Sequence, residues 1–189
     1  MKRKFPSILT AYSLTMAVII VALLAMGPIK SGVAIAQEEQ WFFNPANGHE
    51  YRLTDPMPWV DAEAQAVAWG GHLVTLNNAE EELWVKDTFG RLELFYIGFN
   101  DIEEEGIWVW SSGASITYTN WDDSEPNNCC DCTDSPACED AAVMNWDSSD
   151  SNYFGNYWND LSPDDNRRGI VERSCIHLFP GCGPGEYRH

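Results

Sequence analysis

The chain has 189 residues, of which 29 are acidic and 11 basic, for a formal charge of −18. One domain suits this length, with enough chain to bury a sizeable core. So acidic a surface repels phosphate backbones and anionic lipid, which argues against nucleic-acid and membrane-surface binding, whereas it suits divalent cations.

Met1 to Lys4 is basic, Ile8 to Met26 is almost wholly apolar, and Ala34-Ile35-Ala36 follows. That is the pattern of an export signal over residues 1–36, with cleavage expected after Ala36. An uncleaved membrane anchor is the alternative, because a spanning helix needs about 20 apolar residues. The chain is therefore expected to be secreted or to face the cell exterior. Cleavage would leave seven basic residues against 29 acidic ones, a formal charge of −22.

A polar lead-in over residues 37–40 precedes a strand-like start at Trp41-Phe42-Phe43. Trp59, Ala62, Ala66 and Trp69 recur at steps of three and four, which predicts a helix closed by Gly70-Gly71. His72 to Leu76 reads as a strand. Asn78 with Glu81 three residues on is a capping signature for a second helix through about Thr88. Leu94 to Phe99, Ile107 to Trp110, Ala142 to Trp146 and Gly169 to Glu172 carry the aromatic and β-branched content of strands. The stretches Thr119 to Asp140 and Asp147 to Asp165 are rich in Asp, Asn, Ser, Gly and Pro and read as long loops. Loops of that length inside a compact domain are usually functional or disordered, so binding is expected to order these two.

Six cysteines fall late: Cys129, Cys130, Cys132 and Cys138 in one loop, then Cys175 and Cys182 in a tail spanning 174–189. An even count on an exported chain points to disulfides; the loop four leave three pairings open, and zinc binding by their thiols is the rival reading.

Glu125-Pro126-Asn127 and Trp158-Asn159-Asp160 carry the chemistry. Calcium takes about six to eight oxygen ligands, and both tripeptides supply carboxylate and amide oxygens beside rigid or bulky neighbours. In Glu-x-Asn an extended backbone would point the outer side chains apart, and a cis peptide before Pro126 would bring them round to one ion.

From Trp41 to about Arg173 the sequence resembles a C-type lectin domain. The landmarks fall in order: Trp59 with the Ala62/Ala66 face, Gly70-Gly71-His72-Leu73, Glu80 to Trp84 and Tyr96-Ile97-Gly98-Phe99. Trp108-Val109-Trp110, Asn120-Trp121, Glu125-Pro126-Asn127, Glu139-Asp140, Trp158-Asn159-Asp160 and Ile170-Val171-Glu172 complete the series. The resemblance implies an α+β fold of two helices, small antiparallel sheets and a long calcium-binding loop region over residues 41–173. It also implies one Ca2+ held by Glu125, Asn127, Glu139, Asn159 and Asp160, the same residues gripping sugar hydroxyls. An auxiliary cation is implied at Asp101, Glu105 and Asp140, although Asn128 stands where another acid is common. The order Glu-Pro-Asn is associated with mannose-type sugars bearing equatorial vicinal hydroxyls. The partners implied are glycans or glycoconjugates.

The family's two usual disulfides are missing, since Ala66 and Val171 occupy one pair of positions and Ala141 with about Pro163 the other. Apolar packing of Ala66 on Val171 is expected to replace the first. The cysteine insertion between Asn127 and Glu139 reads either as a flap that shapes glycan access or as a staple that stiffens the loop. Trp108, Trp110, Trp121 and Trp158 are expected in the core, leaving Tyr153, Phe154 and Tyr157 as stacking candidates. An enzyme is not expected: His49, His72, His177 and His189 are scattered, and neither Gly-x-Ser-x-Gly nor His-Glu-x-x-His occurs. A protein- or surface-binding adhesion domain of the same fold, without a sugar ligand, is the alternative function.

Overall fold

The computed structural model describes residues 40–129, 138–149 and 154–175, with the backbone alone at Phe154. The export signal, Cys130, Cys132, Cys182, Tyr153 and the tail beyond Cys175 lie outside them. The described chain is α+β, with strands β1 (Phe42–Asn44), β2 (His49–Leu53), β3 (His72–Leu73), β4 (Phe95–Asn100), β5 (Val109–Trp110), β6 (Ala141–Trp146), β7 (Phe154–Leu161) and β8 (Ile170–Ser174). Helices α1 (Trp59–Ala68) and α2 (Ala79–Phe89) flank β3 in sequence. The strands form two antiparallel sheets, ordered β1-β2-β8-β3 and β5-β4-β6-β7.

Helix α1 ends where the glycines place it. Gly70 adopts a φ of 84°, and the N–H groups of Gly70 and Gly71 reach back to the carbonyls of Val67 and Ala66 at 3.0 Å each, the double closure that a left-handed residue permits. Helix α2 begins at Asn78, whose side chain accepts the N–H of Glu81 at 2.9 Å. The return half of the capping signature differs from expectation. Glu81 accepts the N–H of Asn77, one residue earlier, at 2.9 Å, because its other oxygen is held by Tyr51 at 2.7 Å.

All six residues of β4 are buried, so this strand divides the core. Its alternate faces feed two clusters, as the two-residue period of a strand requires. Phe95, Ile97 and Phe99 join Ala142, Met144, Trp110 and Trp158. Tyr96 joins Ala141, Val143, Trp59, Ala62, Ala66 and Val171. Ala66 and Val171 are both fully buried in that second cluster, which ties α1 to β8 by apolar contact where related chains are expected to carry a disulfide. Trp110 and Trp158 are core residues, and Trp108 and Trp121 pack on them with their rings 5.3 and 5.9 Å from Phe99.

Two expectations are corrected. The strand at His72 extends only to Leu73; Val74 then bonds to Ile170 at 2.7 Å without continuing the ladder. The stretch Asp147 to Asp165 is not all loop, since eight of its residues form β7 on β6. Its polar composition concealed a strand held by backbone pairing and by the buried ring of Trp158.

Candidate functional site

The two informative tripeptides meet at the open end of the second sheet. Strand β7 delivers Trp158, Asn159 and Asp160, all buried, beside Val143 and Ala142 of β6. The long loop reaches the same place because Trp158 bonds to it through both backbone groups: its N–H donates to the Asn120 carbonyl at 2.7 Å and its carbonyl accepts the N–H of Asp122 at 3.0 Å. Beyond Asp122 the chain turns through Glu125, and the Glu125–Pro126 peptide is cis. Asn127 donates its side-chain amide to the Glu125 carboxylate. The backbone N–H groups of Asn127 and Asn128 donate to the two oxygens of Asp160 at 3.1 and 2.8 Å.

Glu139 closes the arrangement from the far side of the cysteine insertion. Its carboxylate accepts the N–H of Cys129 at 2.8 Å, and its own N–H donates to the side chain of Asn128 at 3.3 Å. Cys129, Cys138 and Cys175 are disulfide-bonded.

The electrostatics of the cluster are those of carboxylates crowded against one another. Burial, then the charge of Asp160 and a hydrogen bond with it, then the charge of Glu139, push Glu125 up to about 7. Glu139 is raised by burial and by Asp160. Next door, Asp101 is pushed up to about 6 by burial, against the N–H of Gly106, with smaller contributions from Glu105, Asp140 and Asp160. Asp140 is raised by burial and then by Glu105, Asp164 and Asp160. Glu105 itself stands exposed on the loop after β4.

Two oxygens here are buried without a hydrogen-bond partner: Oδ1 of Asn159 and Oδ1 of Asp101. Stranding a buried acceptor costs about 1–3 kcal/mol. Hard carboxylate and amide oxygens, some of them unsatisfied and several repelling one another, form a donor set that fits Ca2+. Among the described residues, the acidic and histidine side chains whose ligand-capable atoms all lie within 4.8 Å of one another are elsewhere, at His49, Glu81 and Glu172. The carboxylates there are already supplied with donors: Tyr51 reaches both at 2.7 and 3.1 Å, Thr75 N–H reaches Glu172 at 2.9 Å, and His49 bonds to Glu172.

Asp122 escaped the reading of the sequence. It is 8% exposed and gathers the N–H groups of Asp123 and Ser148 at 3.0 and 2.9 Å, pinning the base of the long loop to the turn after β6. One aspartate among so many in a loop carries no signal that would single it out. Of the stacking candidates, Tyr157 is 42% exposed, while Tyr153 and the side chain of Phe154 fall outside the described residues.

The Lectin C-type domain profile matches residues 55–166. Lectin BRA-3 of Megabalanus rosa is 32% identical over 140 residues, covering 72% of this chain and 78% of that one. Human C-type lectin domain family 17, member A is 36% identical over 117 residues, 62% of this chain; the match spans 27% of that longer relative. The human scavenger receptor C-type lectin carbohydrate-recognition domain superposes with a TM-score of 0.60 at 27% identity, covering 71% of this chain and 95% of that one. By its profile, its relatives and its fold, the chain belongs to the C-type lectin domain family, a broadly carbohydrate-binding and non-enzymatic group.

Proposed function

We propose that this chain binds carbohydrate through Ca2+ held by Glu125, Asn127, Glu139, Asn159 and Asp160, and that its preferred ligands are mannose-type sugars with equatorial vicinal hydroxyls. The observation that carries the reading is the buried, unpartnered Oδ1 of Asn159, beside an Asp160 whose carboxylate is laced to the Glu125-Pro126-Asn127 turn. A cation would satisfy that oxygen and neutralise the acids that now raise one another's proton affinity.

When bound, the ion supplies open coordination positions for two neighbouring hydroxyls. The carboxylates of Glu125 and Glu139 accept from those hydroxyls, and the amide nitrogens of Asn127 and Asn159 donate to them. That division of donors and acceptors fixes which hydroxyl geometry is preferred. Asp101, Glu105 and Asp140 form the auxiliary cation site, whose unpartnered Asp101 oxygen is the corresponding support. Residues 1–36 act as the export signal, the mature chain works at the cell exterior, and its partners there are glycans or glycoconjugates.

Calorimetric titration of the chelated protein with Ca2+, followed by retention on immobilised mannose with and without chelator, tests the proposal. Heat of calcium binding together with chelator-reversible retention is expected. Retention unaffected by chelator would overturn it.

A further inference from the structure

Helix α2 contains an ion pair that its fold does not obviously need. Glu82 and Lys86 are 3% and 4% exposed, and their charged atoms meet at 2.7 Å. Apolar residues of similar size at such a place are often as stabilising or more so, so a buried pair is weak evidence of a stability role. This pair is instead the hub of a network that reaches off the helix. Glu82 accepts from Trp158 Nε1 at 3.0 Å, from the Tyr118 hydroxyl at 2.6 Å and from the Asn120 side chain at 3.1 Å. Lys86 donates to the carbonyl of Asn156 at 2.6 Å, and Asn120 donates to that same carbonyl at 2.6 Å.

Every one of these outer partners lies on one of two segments. Tyr118 and Asn120 precede the Glu125-Pro126-Asn127 turn, and Asn156 and Trp158 precede Asn159 and Asp160. Strand β7 needs such a clamp. Its pairing with β6 shifts register around Met144 and Trp146, and its composition offers little hydrophobic alternation to choose one register over another. A slip of one residue would send Asn159 and Asp160 to opposite faces from those they occupy. The indole of Trp158, held at Nε1, is the feature that forbids the slip.

We propose that the buried Glu82–Lys86 pair is a positioning element that sets the register between the two chain segments bearing the cation-binding oxygens, and so governs the affinity of that site. This rests on the calcium reading above. Neither residue touches the ion; both act through Trp158, Asn120 and Asn156, as outer partners that orient metal ligands do.

The test compares calcium affinity with stability in the full mature chain. Glu82→Leu combined with Lys86→Met removes both charges and the acceptor that holds the Trp158 indole; apolar residues commonly replace a buried pair, so the chelated protein is expected to stay folded with a lowered melting temperature. Its calcium dissociation constant is expected to rise about tenfold. Gly98→Ala, which crowds β4 against Leu73 and Ser111 and removes none of the network's hydrogen bonds, serves as the reference: it is expected to lower the melting temperature with little change in calcium affinity. Should the double variant fail to fold, Tyr118→Phe decides, since it deletes only one hydrogen bond and is expected to weaken calcium binding about threefold. Wild-type calcium affinity in the folded double variant, or in Tyr118→Phe where the double variant does not fold, overturns the positioning role and leaves the calcium reading standing. Absence of calcium binding by the wild type itself overturns both.

Discussion

The carboxylate of Asp160 accepts the N–H of Asn127 at 3.1 Å, so a candidate ligand on β7 holds the backbone of a candidate ligand on the long loop. With the N–H of Asn128 at 2.8 Å on its other oxygen, Asp160 has a structural task separable from metal binding. Asn159 has no such task through Oδ1, which is buried and unpartnered.

That contrast separates two substitutions. Asn159→Ala is expected to abolish calcium-dependent retention on mannose while changing the stability of the chelated protein by less than about 1 kcal/mol. Asp160→Ala is expected to abolish retention and also to destabilise the chelated protein by about 2–3 kcal/mol, because two backbone donors lose a charged acceptor. Denaturant melts in chelator and calcium titrations measure both quantities. Unaltered calcium affinity in Asn159→Ala would refute its place in the cage.

The acids also set a pH dependence. Glu125 is pushed up to about 7 and Asp101 to about 6, chiefly by burial. A carboxyl group whose folded value is raised contributes stability that is complete below its unfolded value and lost as pH rises through its folded value. The chelated protein is therefore expected to melt at a higher temperature at about pH 5.5 than at about pH 7.5. His49, raised mainly by its hydrogen bond to Glu172, acts in the same direction, so Glu125→Gln should remove part of the trend and leave part. With excess calcium the sign reverses, because protons compete with the ion for the same oxygens. Scanning calorimetry at both pH values, with and without chelator, measures this; a chelated melting temperature that drops on acidification would contradict it.

What the sequence disclosed and what it hid follow from how each element is held. Helix α1 was legible because Trp59, Ala62 and Ala66 bury one stripe and Gly70 supplies the left-handed turn, both of which are local signals. The cap at Asn78 was legible for the same reason. Strand β2 was not, because His49-Glu50-Tyr51-Arg52-Leu53 reads as a polar segment. Its charges are buried by partners distant in the chain: Glu50 pairs with Arg173 at 2.9 Å, and the Arg52 guanidinium lies 3.6 Å from the centre of the Trp69 ring. The two tripeptides that meet through Asp160 were legible as motifs, whereas the Glu82–Lys86 hub beneath them was hidden because an i, i+4 ion pair on a helix usually faces water.

Gly98 in the Tyr-Ile-Gly-Phe signature has a steric explanation. A Cβ there would lie 2.5 Å from the Leu73 carbonyl oxygen and 2.8 Å from the Ser111 hydroxyl, where β4 runs against the chain after α1. Gly98→Ala is expected to cost about 1–3 kcal/mol, the range for overpacking a close-packed interior. Chemical denaturation in chelator measures it, and a loss below about 0.5 kcal/mol would mean that the two segments separate more easily than their geometry suggests.

The shared burial of Ala66 and Val171 in one cluster offers a direct test of how this chain manages without a bridge between its first helix and last strand. Both side chains are fully buried in one apolar cluster. The end of α1 lies close against β8, since a Cβ on Gly71 would come within 2.1 Å of the Glu172 carbonyl oxygen. Two cysteines at these positions are therefore expected to oxidise without large backbone movement. Ala66→Cys with Val171→Cys should raise stability by about 2–4 kcal/mol in the oxidised form through constraint of the unfolded chain. Val171→Cys alone should cost about 0.5–1.5 kcal/mol, because it removes packed methyl groups. Thiol titration and paired melts with and without reductant separate the two effects. An oxidised double variant less stable than its reduced form would show that the apolar packing cannot accommodate a disulfide without strain.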